Sequence, residues 1–186
     1  MESAPAKIRI EARSIGIERG VEPALSVASE TIETPIGLLL VRASARGVIA
    51  IEFDATPGDP TPCGNDLARR VLDQATRELH EYFGGTRREF EVSVDAAGTL
   101  FRQSVWRELR TINFGTTISY GELARRVGNV NASRAVGAAN GANSIPIIVP
   151  CHRVIGADGT LTGFGGGVWR KEWLLRHEGA LDPLWS

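Results

Sequence analysis

One cysteine and one histidine stand side by side in the C-terminal third of this 186-residue chain, as Cys151 and His152. A thiolate is a strong nucleophile, and a neighbouring imidazole can accept the thiol proton or stabilise the thiolate. A stiff apolar segment, residues 145–149, leads into Pro150 and restricts the approach of the backbone to the cysteine. The pair therefore predicts a nucleophilic sulfur at the centre of the chemistry.

Adjacency in sequence is not sufficient for that role. Consecutive side chains of a regular strand point to opposite faces, so the imidazole can meet the thiol only if the chain turns at Cys151. The chain has two cysteines, and a buried structural thiol is the alternative to a nucleophile. The other cysteine, Cys63, lies in the acidic half without a histidine or carboxylate motif, and we expect it to be incidental.

Length and composition limit the class of protein. A chain of 186 residues can bury a real core and form two small domains. It has no run of 18 apolar residues, and its first 30 residues mix charged and apolar positions, so we expect no membrane partner, no signal peptide and a cytoplasmic location. The spacing of cysteines and histidines does not support zinc, and we expect free thiols and no metal.

The net charge of −1 conceals an asymmetry along the chain. Residues 1–95 contain 11 Lys and Arg against 16 Asp and Glu, a net charge of −5, whereas residues 96–186 contain 10 against 6, a net charge of +4. The basic half contains Cys151. Such a modest excess predicts a moderate, salt-sensitive affinity for a DNA backbone, and the alternative is a solvated surface of mixed sign.

The N-terminal half has the pattern of a small α/β unit. Short β-like runs at residues 37–42 and 47–53 predict a hairpin, and a Pro/Gly-rich loop follows at 57–64. Apolar positions at helical spacing predict a helix over residues 65–83. Residues 90–94 predict one more strand.

An extension precedes this unit. Residues 7–12 alternate like a strand, but a disordered tail over residues 1–28 fits the composition equally well. We place the division of the chain near Asp95. The predicted domains are therefore an N-terminal α/β domain over residues 1–95 and a DNA-binding and catalytic domain over residues 96–186.

The C-terminal half has a helix-turn-helix pattern. A first helix is predicted over residues 99–111. Ser119 with Glu122 three residues later predicts an N-cap and capping box for a short helix that ends at Val127. A Gly-Asn turn then leads to a second helix over residues 132–140, which completes the motif.

The second helix of this motif is rich in Ala and Gly, so its backbone can approach another surface closely. Small residues suit close packing inside a core as well as contact with DNA, and periodicity alone does not separate the two. The single arginine, Arg134, among small neighbours favours the DNA contact.

Three segments around the cysteine resemble motifs of the O6-alkylguanine-DNA alkyltransferases. They are Pro-Cys-His-Arg-Val at 150–154, Gly-Phe-Gly-Gly-Gly at 163–167 and Trp-Leu-Leu-Arg-His-Glu-Gly at 173–179. The resemblance begins near Ser29, where residues 34–39 are similar to the family's first strand, and it is densest from residue 100 onward. It covers most of the chain.

This resemblance implies a fold and an activity. The fold is α/β (α+β), with a small N-terminal antiparallel sheet domain with helices and then a mainly helical, winged-helix-like domain with the helix-turn-helix. The activity is direct-reversal DNA repair by a suicide methyltransferase: one irreversible transfer of an alkyl group from O6-alkylguanine, and from O4-alkylthymine, in double-stranded DNA to Cys151. The protein is expected to be a monomer in the absence of DNA.

The resemblance also implies roles for five catalytic residues. Glu178 orients His152, which activates Cys151 directly or through a water molecule. Asn143 joins the helix-turn-helix to the cysteine segment, although a loop asparagine in a turn is the alternative. Tyr120 helps to supply a proton to the departing base, and its alternative is a core anchor.

The remaining expected site residues contact DNA or the base. Arg134 matches the arginine that enters the base stack from the minor groove in place of the flipped nucleotide, and Ser133, Ala135 and Gly137 are expected to contact DNA beside it. The base pocket is expected to involve Val154, Phe164 and Gly165. Phe164 departs from relatives with tyrosine there, which removes a hydroxyl from the pocket wall.

Three other functions are alternatives to alkyl transfer. A non-catalytic sensor of alkylated bases would share this fold but lack the cysteine. A helix-turn-helix regulator would read the major groove, yet residues 132–140 include few side chains that read bases. A cysteine hydrolase would use Cys, His and an acid for acyl transfer, but it does not account for Arg134 or for the basic C-terminal half.

Overall fold

The computed structural model describes residues 27–56, 58 and 63–181, and the extension over residues 7–12 lies outside these ranges. A three-stranded antiparallel sheet begins the fold in the order β1 (Ala28–Ile32), β2 (Leu39–Ser44) and β3 (Gly47–Phe53). The predicted hairpin is thus confirmed as β2 and β3. Most of the predicted 57–64 loop is also outside the described residues.

One long helix, α1 (Asp66–Phe83), packs on this sheet. It begins where Asn65 accepts hydrogen bonds from the backbone N–H groups of Leu67 and Ala68, as expected of an N-cap. Its buried face follows the predicted helical spacing, and Leu72 and Leu79 on it are completely buried. The last turn brings Tyr82 into the interior.

The expected first strand at residues 34–39 is wrong. The strand β1 lies upstream of this segment, and residues 34–37 form a turn closed by a hydrogen bond of 3.0 Å from Gly37 N–H to the Thr34 carbonyl. Gly37 has a φ of +100°, which a residue with a Cβ rarely adopts. Pro35 and Gly37 are turn residues here, and only Leu39 belongs to a strand.

The predicted strand at residues 90–94 is reduced to one isolated bridge between Val48 and Val94. The backbone N–H groups of Glu91 and Val92 point instead to the side chain of Glu78, whose Oε2 accepts both at 2.9 and 3.1 Å. A buried carboxylate therefore takes the donors that a neighbouring strand would have used.

The second half is mainly helical, as predicted, and the α/β fold class is confirmed. Its elements are α2 (Leu100–Leu109), β4 (Ile118–Ser119), α3 (Tyr120–Arg126), α4 (Ser133–Gly141), β5 (Val154–Ile155) and α5 (Val168–His177). Strands β4 and β5 pair in parallel, which was not predicted because each has only two residues. No helix in the described part of the chain is long and apolar enough to span a membrane.

The helix-turn-helix consists of α3 and α4. Ser119 caps α3 by accepting a hydrogen bond from the Glu122 N–H at 3.1 Å, whereas the Glu122 side chain binds Arg125 and Arg126. The N-cap is therefore confirmed, and the glutamate of the predicted capping box pairs forward along the helix. Helix α4 is fixed against α2 by Trp106, whose Nε1 donates to the Ala139 carbonyl at 2.9 Å.

Candidate active site

The chain turns at the cysteine, as the pairing of Cys151 with His152 requires. Residues Cys151–Arg153 form a single 3₁₀ turn after Pro150, so the two side chains are not alternating residues of a strand. Cys151 is 5% exposed and His152 is completely buried. The turn removes the geometric objection to a thiol–imidazole pair.

Asn143 holds the segment that leads to this turn. Its Nδ2 donates to the Val149 carbonyl at 2.8 Å, and its Oδ1 accepts from the Ile145 N–H at 3.0 Å. Between these contacts Ile147 has a φ of +75°, a strained value for a β-branched residue. The two amide contacts stabilise the loop in the one conformation that presents Cys151.

Glu178 lies directly beyond α5 and contacts the imidazole. Its Oε1 is 2.9 Å from His152 Nε2, and both side chains are fully buried. The motif at 173–179 begins within helix α5 and includes Glu178 as the C-cap of that helix. A carboxylate opposes the dipole at a helix C-terminus, so its position there is stabilised by other groups.

Those groups include a buried arginine and a tyrosine. Arg153 donates to both carboxylate oxygens, with Nε 2.8 Å from Oε2 and Nη2 2.9 Å from Oε1. The Tyr82 hydroxyl donates to Oε1 at 2.7 Å, and the Gly115 N–H donates to Oε2 at 3.3 Å. Each oxygen of Glu178 is thus surrounded by donors, as a buried charge requires.

These contacts determine the protonation of the pair. Burial would raise the pKa of Glu178, but the hydrogen bonds and charges of His152 and Arg153 outweigh it and hold that pKa well below its usual range. Burial lowers the pKa of His152, despite the opposing effect of Glu178. An ionised carboxylate can only accept, so the neutral imidazole carries its proton on Nε2. Its Nδ1, buried and without a hydrogen-bond partner among the described residues, is then the basic atom.

The surroundings of Cys151 favour the protonated thiol. Burial raises its pKa to about 11, and the nearby Asn143 amide and the charge of Lys171 reduce that rise only in part. Burial therefore opposes ionisation of the thiol in the unliganded site more strongly than these neighbours favour it. The thiol must therefore lose its proton as part of the reaction rather than before it.

A cavity of about 320 Å³ opens beside the cysteine. Of the expected site residues, it is lined by Cys151, Asn143, Phe164 and Gly165. Phe53 of β3 closes one side, with its ring centroid 5.5 Å from that of Phe164. The predicted pocket residues Phe164 and Gly165 are therefore brought together with the nucleophile.

Arg170 attaches the glycine-rich wall of this cavity to the N-terminal half. The buried guanidinium donates to the carbonyls of Gly166 at 2.7 Å and Ile36 at 2.8 Å, and it also pairs with Asp54. A Cβ on Gly166 would lie 2.8 Å from the Phe53 ring. Only glycine therefore permits this close approach.

Tyr120 and Val154 both lie near Lys171. The Tyr120 hydroxyl donates to the Thr162 carbonyl at 3.4 Å, and its pKa is raised by burial. Val154 is completely buried, and its carbonyl accepts a hydrogen bond of 2.6 Å from Lys171 Nζ. Lys171 also donates to Thr162, so a buried lysine joins both expected residues.

The expected DNA contacts lie on α4. Arg134 and Ala135 are exposed, Ser133 is half-buried, and Arg134 has no ion pair among the described residues. Gly137 lies against Tyr120, where an added Cβ would be 3.9 Å from the ring. The helix thus presents an arginine outward, and Gly137 connects it with the cysteine site.

Several residues of the site were not predicted from sequence: Tyr82, Arg153, Lys171, Asn140, Arg170 and Phe53. Arg153 and Lys171 are charged residues within or beside quoted motifs, and that proximity was the available signal. Asn140 donates from Nδ2 to the Cys151 carbonyl at 3.3 Å. In the described part of the chain, no group of His, Cys, Asp and Glu could hold a metal ion.

Comparison with known families gives matches to both halves. The model described as 6-O-methylguanine DNA methyltransferase, DNA binding domain, matches residues 100–180, and that described as 6-O-methylguanine DNA methyltransferase, ribonuclease-like domain, matches residues 27–96. A methylated-DNA–protein-cysteine methyltransferase of Mycolicibacterium paratuberculosis is 43% identical over 153 residues, covering 82% of this chain and 93% of that protein. The Shigella flexneri protein of that name is 56% identical over 105 residues, covering 56% and 61%.

Solved structures give a similar result. The Mycobacterium tuberculosis O6-methylguanine methyltransferase superposes with a TM-score of 0.71 and 41% identity, covering 85% of this chain and 96% of that one. The structure of Mycobacterium tuberculosis OGT in complex with DNA gives a TM-score of 0.72 and 42% identity, covering 82% and 92%. The resemblance inferred from the motifs around Cys151 is confirmed.

Proposed function

Because this chain belongs to the 6-O-methylguanine DNA methyltransferase family, we propose that it repairs DNA by irreversible transfer of one alkyl group to Cys151. The donor is O6-alkylguanine, and also O4-alkylthymine, in double-stranded DNA. The observation that carries the proposal is the buried chain of contacts from Glu178 to His152, next to a cysteine that lines a cavity.

The transfer is a displacement at the alkyl carbon. The sulfur of Cys151 forms a bond to that carbon as the bond from carbon to O6 breaks, and the electrons of the broken bond stay on the base. The thiol proton passes to Nδ1 of His152, directly or through a water molecule, while Glu178 stabilises the imidazolium. Tyr120 donates its proton to the departing guanine, which ends as the neutral base, and the His152 imidazolium then returns the thiol proton through water to the tyrosinate.

The buried thiol makes this coupling necessary. With a pKa of about 11, little thiolate is present at neutral pH, so ionisation has to accompany substrate binding or bond formation. A stable thioether is the product, and no second thiol is available in the cavity to remove the alkyl group. Each molecule therefore reacts once and needs no cofactor.

The base reaches the cavity after rotation out of the duplex. Helix α4 enters the minor groove, Arg134 fills the space in the base stack, and Ser133, Ala135 and Gly137 allow the backbone to approach. The carbonyl of Val154 and the backbone near Gly165 bind the edges of guanine, with Phe164 against the ring. The protein acts in the cytoplasm as a monomer when free of DNA, with domains divided near residue 95.

We expect replacement of Arg134 by alanine to slow repair of a duplex by about 10- to 100-fold, because unstacking a base costs a few kcal/mol that the arginine offsets. Transfer from a single-stranded oligonucleotide should change little, since that base needs no extrusion. Single-turnover rates on both substrates measure the difference.

The matched control is Arg107→Ala, which removes the same charge from α2 beside a separate cavity. This variant should weaken binding modestly and in a salt-dependent way, with equal effects on the two substrates. If Arg134→Ala also affected both substrates equally, the proposed insertion into the base stack would be wrong.

Stoichiometry tests the proposal as a whole. Titration of a duplex that contains one O6-methylguanine should repair one lesion per protein molecule, and a second portion of substrate should remain unrepaired. Turnover beyond one equivalent would contradict single transfer, and binding without repair would favour the non-catalytic sensor or the helix-turn-helix regulator.

A further inference from the structure

Tyr82 connects the N-terminal helix α1 with the candidate catalytic carboxylate. Its hydroxyl donates to Glu178 Oε1 at 2.7 Å, across 96 residues of sequence, and its side chain is completely buried. Aromatic rings of Phe83, Phe90 and Phe114 contact its ring, with centroids 5.3, 5.4 and 6.2 Å away. The phenol is therefore held in one orientation.

The oxygen that Tyr82 contacts is the oxygen that His152 contacts. Glu178 Oε1 accepts from the Tyr82 hydroxyl, from His152 Nε2 at 2.9 Å and from Arg153 Nη2 at 2.9 Å. A donor that shares an acceptor atom reduces the negative charge available to the others. Removal of the phenol would thus strengthen the attraction between Glu178 and the imidazole.

We propose that Tyr82 is a positioning residue for the alkyl transfer: its hydroxyl fixes Oε1 of Glu178 and limits the charge that this oxygen presents to His152. The imidazole then stays neutral near neutral pH, with Nδ1 free to accept the thiol proton. The inference rests on the proposed function, because it assigns a partner to the acid of that reaction.

The charged groups around the imidazole shift the pKa of His152 in opposite directions. Arg153, in the same turn, and Lys171, from α5, both lower the pKa of His152, and Glu178 raises it. His177 contacts Tyr82 twice: its Nε2 lies 2.7 Å from the Tyr82 carbonyl, and its ring centroid lies 5.1 Å from that of the Tyr82 ring. A phenylalanine at position 82 leaves all of these contacts and removes only the phenol oxygen.

Burial and the negative charge of Glu178 raise the pKa of Tyr82 well above its usual value. The hydroxyl therefore remains protonated across the pH range of a repair assay and acts only as a donor. This constancy means that a change in pH profile after its removal reports on His152 rather than on the tyrosine itself.

The test is the pH dependence of single-turnover methyl transfer by Tyr82→Phe at saturating DNA. In the wild-type protein the rate should fall at acid pH as His152 becomes protonated, with a midpoint below the usual imidazole pKa because burial lowers it. Without the phenol the pKa of His152 rises, so the midpoint should move to higher pH by roughly half a unit or more.

The matched control is Ser44→Ala, which also removes a buried hydroxyl donor from a carboxylate. Ser44 Oγ donates to Asp95 Oδ2 at 3.1 Å where β2 ends, and neither residue lines the cavity beside Cys151. This variant should unfold at a somewhat lower urea concentration, and the pH midpoint of its transfer rate should equal that of the wild-type protein.

An unchanged midpoint in Tyr82→Phe, or a shift to lower pH, would overturn the inference and leave Tyr82 a structural residue. Wild-type transfer is measured in the same series, so failure of the proposed function itself would be visible separately, as absence of transfer by the wild-type protein. If Tyr82→Phe folds poorly, Tyr82→Leu provides a second variant without a side-chain donor, and the same direction of shift is required.

Discussion

Replacement of Cys151 by serine should abolish alkyl transfer, with a loss of at least ~10³-fold in the single-turnover rate. The hydroxyl of serine ionises far less readily than a thiol, and oxygen is a poorer nucleophile than sulfur toward an alkyl carbon. Serine is close to cysteine in size, so the 3₁₀ turn at Cys151–Arg153 and the binding of DNA should persist. Rapid-quench assays and DNA titrations measure the two properties.

The control for this change is Cys63→Ser. Cys63 is half-buried, and its Sγ lies 3.7 Å from the Asn65 carbonyl, at the start of α1. The Cys63→Ser protein should accept the alkyl group at the wild-type rate. Residual transfer by the Cys151 variant, or loss of transfer in the Cys63 variant, would identify a different acceptor.

Replacement of Glu178 by glutamine should reduce both stability and rate. The free energy of unfolding should fall by about 3–5 kcal/mol, because the buried charge of Arg153 loses its partner. The rate of transfer should fall by ~10²–10⁴-fold, because a neutral amide no longer stabilises the imidazolium of His152. Urea unfolding and single-turnover assays below the melting range separate the two effects.

Glu172, within α5, supplies the matched control. Its carboxylate pairs with Arg176 at 2.9 Å, and both side chains are exposed to solvent, by 43% and 37%. The change Glu172→Gln should alter the free energy of unfolding by less than about 1 kcal/mol and leave the rate unchanged. A Glu178→Gln protein that is destabilised but transfers at the wild-type rate would limit Glu178 to a structural role.

Local patterns predicted much of this fold. The spacing of apolar residues located α1 and α2, Ser119 located the start of α3, and the Gly-Asn turn separated α3 from α4. Where prediction failed, a tertiary contact decided the outcome. Glu78 captures the N–H groups of Glu91 and Val92, and no local pattern of residues 90–94 reveals that a side chain from α1 will lie there.

The residues of the site likewise divide into those that the sequence predicted and those that depend on tertiary contacts. The motifs around Cys151 and the resemblance they carry identified His152, Glu178 and Asn143, and the structure brings these residues together or next to the cysteine segment. Tyr82 had no comparable signal, because its hydroxyl meets Glu178 only after α1 and α5 pack together. The raised pKa of the thiol also depends on burial in three dimensions, which the neighbours of Cys151 in sequence do not reveal.

A neutral imidazole and a protonated thiol limit side reactions of the resting site. A permanent thiolate beside a solvent-accessible cavity would react with other electrophiles and oxidants, and a protein that reacts only once would be consumed by them. Keeping the thiol protonated until a base occupies the cavity restricts reactivity to the bound substrate. The contacts of Glu178 with Arg153 and Tyr82 hold His152 neutral before substrate binds, so that its Nδ1 can accept the thiol proton.

The most direct test of alkyl transfer to Cys151 is the intact mass of the protein after reaction with a duplex that carries one O6-methylguanine, followed by peptide fragmentation. The wild-type protein should gain about 14 Da, which corresponds to no more than one methyl group per molecule, and this group should lie on Cys151. The Cys151→Ser protein should show no gain in mass. DNA binding by the wild-type protein with no change in mass, or a methyl group on any other residue, would contradict alkyl transfer to Cys151.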